Sequence, residues 1–364
     1  MRQAHRLLAA GFAASIALSL PVSATTAAIA APSASVEQSS QEAADYILAN
    51  LIDGTHLATP GDTADGIIAL AAAGGHDETV TAMGEWLKAN SAQYTQDNGP
   101  AASKVLIALD AACVDHSHLH DAITAGKDGD GNVGAFPSAF NQSLVVMALV
   151  RSGQEVPADV LDALRAWQTA PDGGFEYDDF ATGEKVYDVD GTAMAAMALD
   201  VAGDERNSDR ALASLTAHQT SGGYWENFSP VNTTGLVVHA LEVDDRDVSA
   251  AQTWLVGQQL TDGGFPNVLD GTSSNVMATI QGMQGVAGAG YTDADIDCGG
   301  GAPEPEPTPE PEPEPTPEPE PGPIVDTGVA QDTTGAYTAY AVSGLLLLSG
   351  GAVAASSLTA TRRK

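Results

Sequence analysis

Asp188-Val189-Asp190-Gly191-Thr192-Ala193-Met194-Ala195-Ala196-Met197-Ala198-Leu199 opens on a polar cap and then runs without charge until Asp200. The pattern predicts a helix, because a short acidic side chain at the start accepts from the free N–H groups of the first turn. A helix that is apolar on every side belongs in an interior. It needs neighbours of the same kind, and the chain supplies them as copies.

With Leu199 as marker, equivalent positions fall at Leu70, Leu109, Leu149, Leu199, Leu241 and Gly282, at steps of 39, 40, 50, 42 and 41 residues. Five of the six end in a small residue followed by leucine, and the sixth is degenerate, as terminal repeats often are. A more polar, amphipathic segment precedes each: 36–52, 77–94, 116–125, 157–169, 209–219 and 248–260. In 157–169, Val160, Leu161, Leu164 and Trp167 share one stripe and Pro157 starts the helix. Six pairs of a half-exposed and a buried helix predict an all-α, (α/α)6 toroid over residues 36–300. An open solenoid is the alternative, but closure hides both ends of the stack.

Turns punctuate the units. Gln168-x4-Gly173-Gly174-Phe175, Gln219-x3-Gly223-Tyr224-Trp225 and Gln258-x4-Gly263-Gly264-Phe265 end outer helices, and Gly134-Ala135-Phe136 is a partial copy. The glycines permit a left-handed turn after a helix. This Gln-x(2–5)-Gly-x-aromatic turn resembles the repeat of squalene-hopene cyclases and of protein prenyltransferase β subunits. The resemblance covers about residues 36–296 and implies the α/α-toroid superfamily, which also holds cobalamin carriers such as intrinsic factor and transcobalamin. Because the fold hosts enzymes and carriers alike, it does not itself imply an activity.

The ends of the chain read as addresses. Residues 1–31 have the form of a secretory signal: Arg2 and Arg6, an apolar run from Leu7 to Leu20, and cleavage sites after Ala28-Ile29-Ala30 or Val22-Ser23-Ala24. Residues 301–323 form a Pro/Glu tract that cannot build a core and is expected to be a disordered, extended spacer. In residues 324–364, Ile324-Val325-Asp326-Thr327-Gly328 resembles the Leu-Pro-x-Thr-Gly sorting signal of Gram-positive wall proteins, with Thr327 and Gly328 matching and the Leu-Pro pair replaced. An uncharged run from Tyr340 to Ala360 before Arg362-Arg363-Lys364 is long enough for a transmembrane anchor. These features predict an extracellular protein held at the cell surface, by the wall or by the membrane. Two cysteines in an exported chain predict a Cys113–Cys298 disulfide, the alternative being one buried and one free thiol. The net charge of −34, of which the spacer supplies only seven carboxylates, argues against nucleic acid or anionic lipid as a partner.

Seven residues before the markers lie Thr63, Ala102, Gln142, Thr192, Thr234 and Asn275, with Asp190 and Asn232 two residues further back. If the inner helices start at one rim, these residues surround the mouth of the ring. They read either as N-caps or as a site for a polar or anionic ligand. The fourth unit is about ten residues longer than its neighbours, and the excess carries Glu176, Tyr177, Asp178, Asp179, Phe180 and Tyr187. With Asp188, Tyr187 completes the candidate ligand site.

Asp188-Val189-Asp190-Gly191-Thr192-Ala193 also resembles the Asp-x-Asp-Asp-Thr-Ala motif of class II terpene cyclases, where the middle Asp protonates an alkene or epoxide. Asp190 matches that acid, and Gly191 replaces the last Asp. Those enzymes imply aromatic cavity walls and a second α-barrel domain, whereas this chain is 5% aromatic and has one toroid. The prenyltransferase zinc site implies Asp-x-Cys, but Asp297 directly precedes Cys298. Two metal-like patterns remain: Cys113 with His116, His118 and His120 for zinc, and Asp128-x-Asp130-x-Asn132 for calcium. Each reads equally as a polar turn or helix start, and no metal is assigned. The expectation is a non-catalytic binding domain for cobalamin or another bulky polar ligand, a glycan or a protein. The alternative is a cyclase-, prenyltransferase- or lyase-like enzyme with Asp190 as general acid.

Overall fold

The computed structural model describes residues 34–179 and 181–298. The expected signal, the spacer, the sorting-like segment with Thr327 and Gly328, and the expected span lie outside the described residues. Among the described residues no helix is long and apolar enough to cross a membrane.

The helices in chain order are α1 (Ala34–Ala49), α2 (Pro60–Ala73), α3 (Asp77–Asn90), α4 (Ala92–Thr95), α5 (Gly99–Ala111), α6 (Ala139–Arg151), α7 (Ala158–Ala166), α8 (Val189–Val201), α9 (Glu205–Ala217), α10 (Pro230–Glu242), α11 (Ser249–Gln258) and α12 (Val276–Ala287). A hairpin of β1 (Glu176–Asp178) and β2 (Lys185–Tyr187) precedes α8. Six helices, α2, α5, α6, α8, α10 and α12, are buried on nearly every side. Local chemistry starts them: Thr59, Asn98, Ser138, Asp188 and Asn275 each cap a first turn, accepting from the N–H three residues on. The outer helices bury one stripe each, such as Val80, Met83 and Leu87 of α3.

The inner helices pack in sequence, α2 on α5, α5 on α6, α6 on α8, α8 on α10 and α10 on α12, and α12 returns to α2. Helix α1 lies against α12 and α2 and touches α11, joining the first unit to the last. The fold is a closed α/α toroid rather than an open solenoid. Closure needs small residues in the last unit: Gly285 lies so near Gly235 that a Cβ on it would sit 2.6 Å from the Gly235 Cα.

Two local readings are corrected. The third outer helix, expected over 116–125, is a short 3-10 turn at Ser117–Leu119 followed by turns. Its apolar anchors Leu119 and Ile123 still enter the core, but His116, Ser117, His118, His120, Asp121 and Thr124 are weak helix formers. In the sixth unit the residue equivalent to Thr192 is Thr279, four positions after Asn275, so the matching marker is Val286 rather than Gly282.

The far end of the ring, where the inner helices finish, is corked. After α12 the chain turns at Gly288 in the left-handed region and crosses that rim. Tyr291 is fully buried, and its hydroxyl donates to Asp65 Oδ1 of α2 at 3.0 Å. Lys104 of α5 donates to Asp65 Oδ2 at 2.8 Å. Arg151, at the end of α6, donates to Asp110, to the Ala294 carbonyl and to Asp295. The Ile296 N–H donates to the Ala111 carbonyl at 3.1 Å. Cys113 and Cys298 form a disulfide, with Cα atoms 5.6 Å apart, and pin this segment beside the end of α5.

Candidate functional site

The repeated turns show how the near rim is built. Thr63, Thr192, Thr234 and Thr279 each accept a backbone N–H from the residue that ends the preceding turn: Leu57, Phe175, Trp225 and Phe265, at 2.9–3.2 Å. Gln142 does the same for Val133 at 3.1 Å and donates to the carbonyls of Gly131 and Val160. Thr63, Gln142, Thr192 and Thr234 are therefore buried clamps that fix each turn onto its inner helix. Asn275 is the N-cap of α12, accepting from Ala278 at 3.0 Å.

The glutamines of the turns staple successive outer helices. Gln168 Nε2 donates to the carbonyls of Gly173 and, in α9, Asn207. Gln259, not the neighbouring Gln258, donates to Gly263 and to Ser39 of α1, both at 2.8 Å. The third turn is Gly131-Asn132-Val133 rather than Gly134-Ala135-Phe136. It contains the calcium-like motif, whose Asp128 folds back to accept from the N–H groups of Asp130 and Asn132. Among the described residues no group of three or more His, Cys, Asp or Glu side chains is placed to hold a metal. Cys113 is in the disulfide, and His116 faces Asp110 at 3.4 Å and His120 at 3.3 Å.

Asp190 occupies a different position. It lies in the first turn of α8, two residues before the clamp. The equivalent residues of the other inner helices are Gly61, Pro100, Phe140, Asn232 and Met277, which places this set around the mouth of the ring. Asp190 Oδ2 accepts from Asn227 Nδ2 at 3.0 Å. Its Oδ1 is buried without a hydrogen-bond partner, as is the Thr233 hydroxyl. Burial raises the Asp190 pKa to about 6; the nearby Thr233 hydroxyl lowers it, the Asp188 carboxylate raises it, and the Asn227 amide lowers it. Asp188 caps α8 by accepting from the Gly191 N–H at 2.9 Å, and burial raises its pKa too. A side chain at 191 would overlap the Asp188 carboxylate as it stands, so Gly191 accommodates this folded-back cap. Asn232 accepts from the Ser229 hydroxyl at 2.6 Å.

The extra residues of the fourth unit form the β1–β2 hairpin. Tyr187 turns toward α9, donating to or accepting from the Ser214 hydroxyl at 2.9 Å and stacking on His218 with ring centres 4.0 Å apart. Of the predicted site residues, the rim brings Asp188, Asp190 and Asn232 to the mouth. It commits Thr63, Gln142, Thr192 and Thr234 to turns, Asn275 to a cap and Tyr187 to the outer wall.

A feature that periodicity did not reveal lies on the same rim. All five large apolar side chains left exposed among the described residues are Ile52, Phe136, Phe228, Val268 and Leu269. Each sits in a loop that leads into an inner helix: α2, α6, α10 or α12. The available signal was an apolar residue inside a polar loop where no turn needs it. Away from the mouth, a hollow of about 420 Å³ opens where the third outer helix is missing, lined by Lys88, Thr95, His118 and Leu119 among others.

No protein-family model and no curated protein matches this chain. Solved structures do. A type II terpene cyclase from Scytonema, MstE, superposes with a TM-score of 0.55 at 15% identity, over 70% of this chain and 97% of that one. An inactive variant of an α-1,6-mannanase, GH76A of Salegentibacter sp. HEL1_6, solved with α-1,6-mannotriose, gives 0.54 at 10% identity, over 70% and 98%. At these identities the likeness establishes the α/α-toroid fold alone.

Proposed function

We propose that this protein is a surface-displayed binding domain whose ligand seats on the near rim, around Asp190. The observation that carries the reading is the contrast between the two rims. The far rim is closed by residues 288–298 and Tyr291 occupies the ring from that side, while the near rim concentrates the exposed apolar side chains and the buried carboxyl group of Asp190. Cobalamin, a glycan and a protein all remain within this reading.

The test titrates the full-length chain with cobalamin and with a panel of soluble glycans and proteins, following absorbance and heat. Wild type is compared with Phe228→Ser, Asp190→Asn and the outer-wall control His118→Ala. A ligand weakened by the two rim substitutions and indifferent to the control supports the proposal. A ligand that binds well and ignores both rim substitutions refutes it.

A second reading rests on Asp190 alone. A carboxylic acid buried, beside a second carboxylate and with a pKa near 6 is suited to donate a proton near neutral pH. Conversion of an acyclic polyprenyl substrate to a cyclic product, abolished by Asp190→Asn, would establish acid catalysis in place of simple binding.

A further inference from the structure

We infer that the partner of the near rim is a positively charged protein surface that also presents apolar side chains. This rests on the rim being the binding face, and it follows from the size of the rim and from its charge.

Size excludes a small ligand as the occupant of the whole surface. Neighbouring packed helices stand roughly 9 Å apart, so a ring of six is about 18 Å across between axes. Ile52, Phe136, Phe228 and Leu269 come from the first, third, fifth and sixth units. A small molecule reaches one or two of them. A protein face burying on the order of 800 Å² reaches all. All five exposed large apolar side chains of the described residues fall in the loops of this one rim, and that confinement marks it as the contact face.

Charge selects the kind of macromolecule. Acids stand next to the apolar residues in sequence: Asp53 after Ile52, Glu226 two before Phe228, Asp270 after Leu269, all exposed. The loops leading into the inner helices contain two lysines and no arginine. Lys127 is ion-paired with Asp159, and Lys185 with Asp178. Every cation of these loops is thus answered within the domain, and the exposed acids are left to face a partner. Nucleic acid and anionic lipid are repelled by such a face, and a neutral glycan gains little from carboxylates flanking apolar groups. A basic protein surface is attracted at long range and buries its apolar residues at contact.

The test uses the full-length chain and three synthetic amphipathic helices of about 18 residues, or five turns. One has a lysine face and a leucine face, one replaces lysine by glutamate, and one replaces leucine by serine. Fluorescence anisotropy reads binding at low and physiological salt. The lysine–leucine peptide is expected to bind at least about tenfold more tightly than either control peptide, with affinity falling as salt rises. Glu226→Lys with Asp270→Lys, and Phe136→Ser with Phe228→Ser, should each weaken it about tenfold while leaving the thermal midpoint in place. Asp77→Lys with Glu78→Lys makes the same charge change on exposed residues of the far rim and should leave affinity within about twofold. The acidic spacer adds the same background to every variant.

Equal binding of the glutamate–leucine peptide overturns the charge argument and leaves the rim as an apolar site. Equal damage from the far-rim pair means that total charge alone attracts the peptide, and overturns the inference. Failure of all three peptides to bind overturns it as well. The rim reading itself falls on a separate result, a ligand that binds well and ignores both Phe228→Ser and Asp190→Asn.

Discussion

Replacing Gly263 by alanine tests whether the ring is closed. Gly263 has φ of +85°, and a methyl group there would overlap the Glu42 carbonyl of α1. The left-handed backbone costs alanine about 1–2 kcal/mol. The overlap is with backbone, so it cannot be relieved by a rotamer change; α1 or the turn must move. That movement breaks the two hydrogen bonds of Gln259, to Ser39 and Gly263, worth about 1 kcal/mol each. The expected loss is about 3–5 kcal/mol, or a fall of roughly 10 °C in thermal midpoint for a domain of this size. Urea unfolding of the oxidised protein, followed by circular dichroism, reads the loss. Gly173→Ala, which meets Arg210 Cβ at 2.8 Å in an internal unit, should cost about as much or slightly less. Gly257→Ala, inside α11 with no atom within 4 Å, should stabilise by about 0.5–1 kcal/mol. A loss at Gly263 of only about 1 kcal/mol, the backbone strain alone, would mean that α1 does not bear on the turn and that the first and last units are not joined there.

Asp190→Asn should change the pH dependence of stability. The folded pKa is raised to about 6, so the protonated form stabilises the fold below the unfolded pKa near 4, and that contribution is lost as pH rises through 6. Above pH 7 the Asn variant should therefore exceed wild type by up to about 3 kcal/mol, and below pH 4 the gap should close; a pH-independent difference would contradict the burial of the carboxylate. Lys104→Met leaves Asp65 buried and charged with only the Tyr291 hydroxyl, and should cost about 3–5 kcal/mol in urea unfolding. Adding Asp65→Asn should recover part of that loss, and strict additivity would show that the two do not interact. Thr192→Val keeps the shape but strands the Phe175 N–H, and should cost about 1–3 kcal/mol while leaving ligand affinity unchanged. A change of affinity without a change of stability would return Thr192 to the ligand site.

The closed ring was legible because it depends on quantities that a sequence displays. Six mostly apolar runs at a recurring step, each behind an amphipathic segment, have few ways to bury themselves. What the sequence concealed depends on which atoms meet. Gln258 and Gln259 are adjacent, and only the direction of the helix end shows that the second reaches Ser39. The 116–125 segment has the anchors of an outer helix, Leu119 and Ile123, but the residues between them are weak helix formers. The sixth unit slipped by one helical turn because the loop before α12 is longer: Val286 holds the leucine's place, and Gly282, one turn earlier, is where α12 closes on Val231 and Phe265.

The polar residues near the helix starts carry the sharper lesson. A threonine in a first turn has one hydroxyl, and capping, clamping and ligand contact all use it in the same way. Period and spacing cannot separate these uses, because all three recur once per unit. The difference lies in what each residue leaves unsatisfied. Thr63, Thr192, Thr234 and Thr279 have spent their hydroxyls on turn N–H groups, so removing them unfolds a turn. Asp190 breaks the pattern by standing two residues earlier, where other units hold glycine, proline, phenylalanine, asparagine and methionine. A clamp needs the same chemistry in every unit, whereas a site on a quasi-symmetric ring needs it once. By that criterion the unequal positions of the rim, Asp190 at the mouth and the apolar residues scattered over four of the six loops, are where function has departed from architecture.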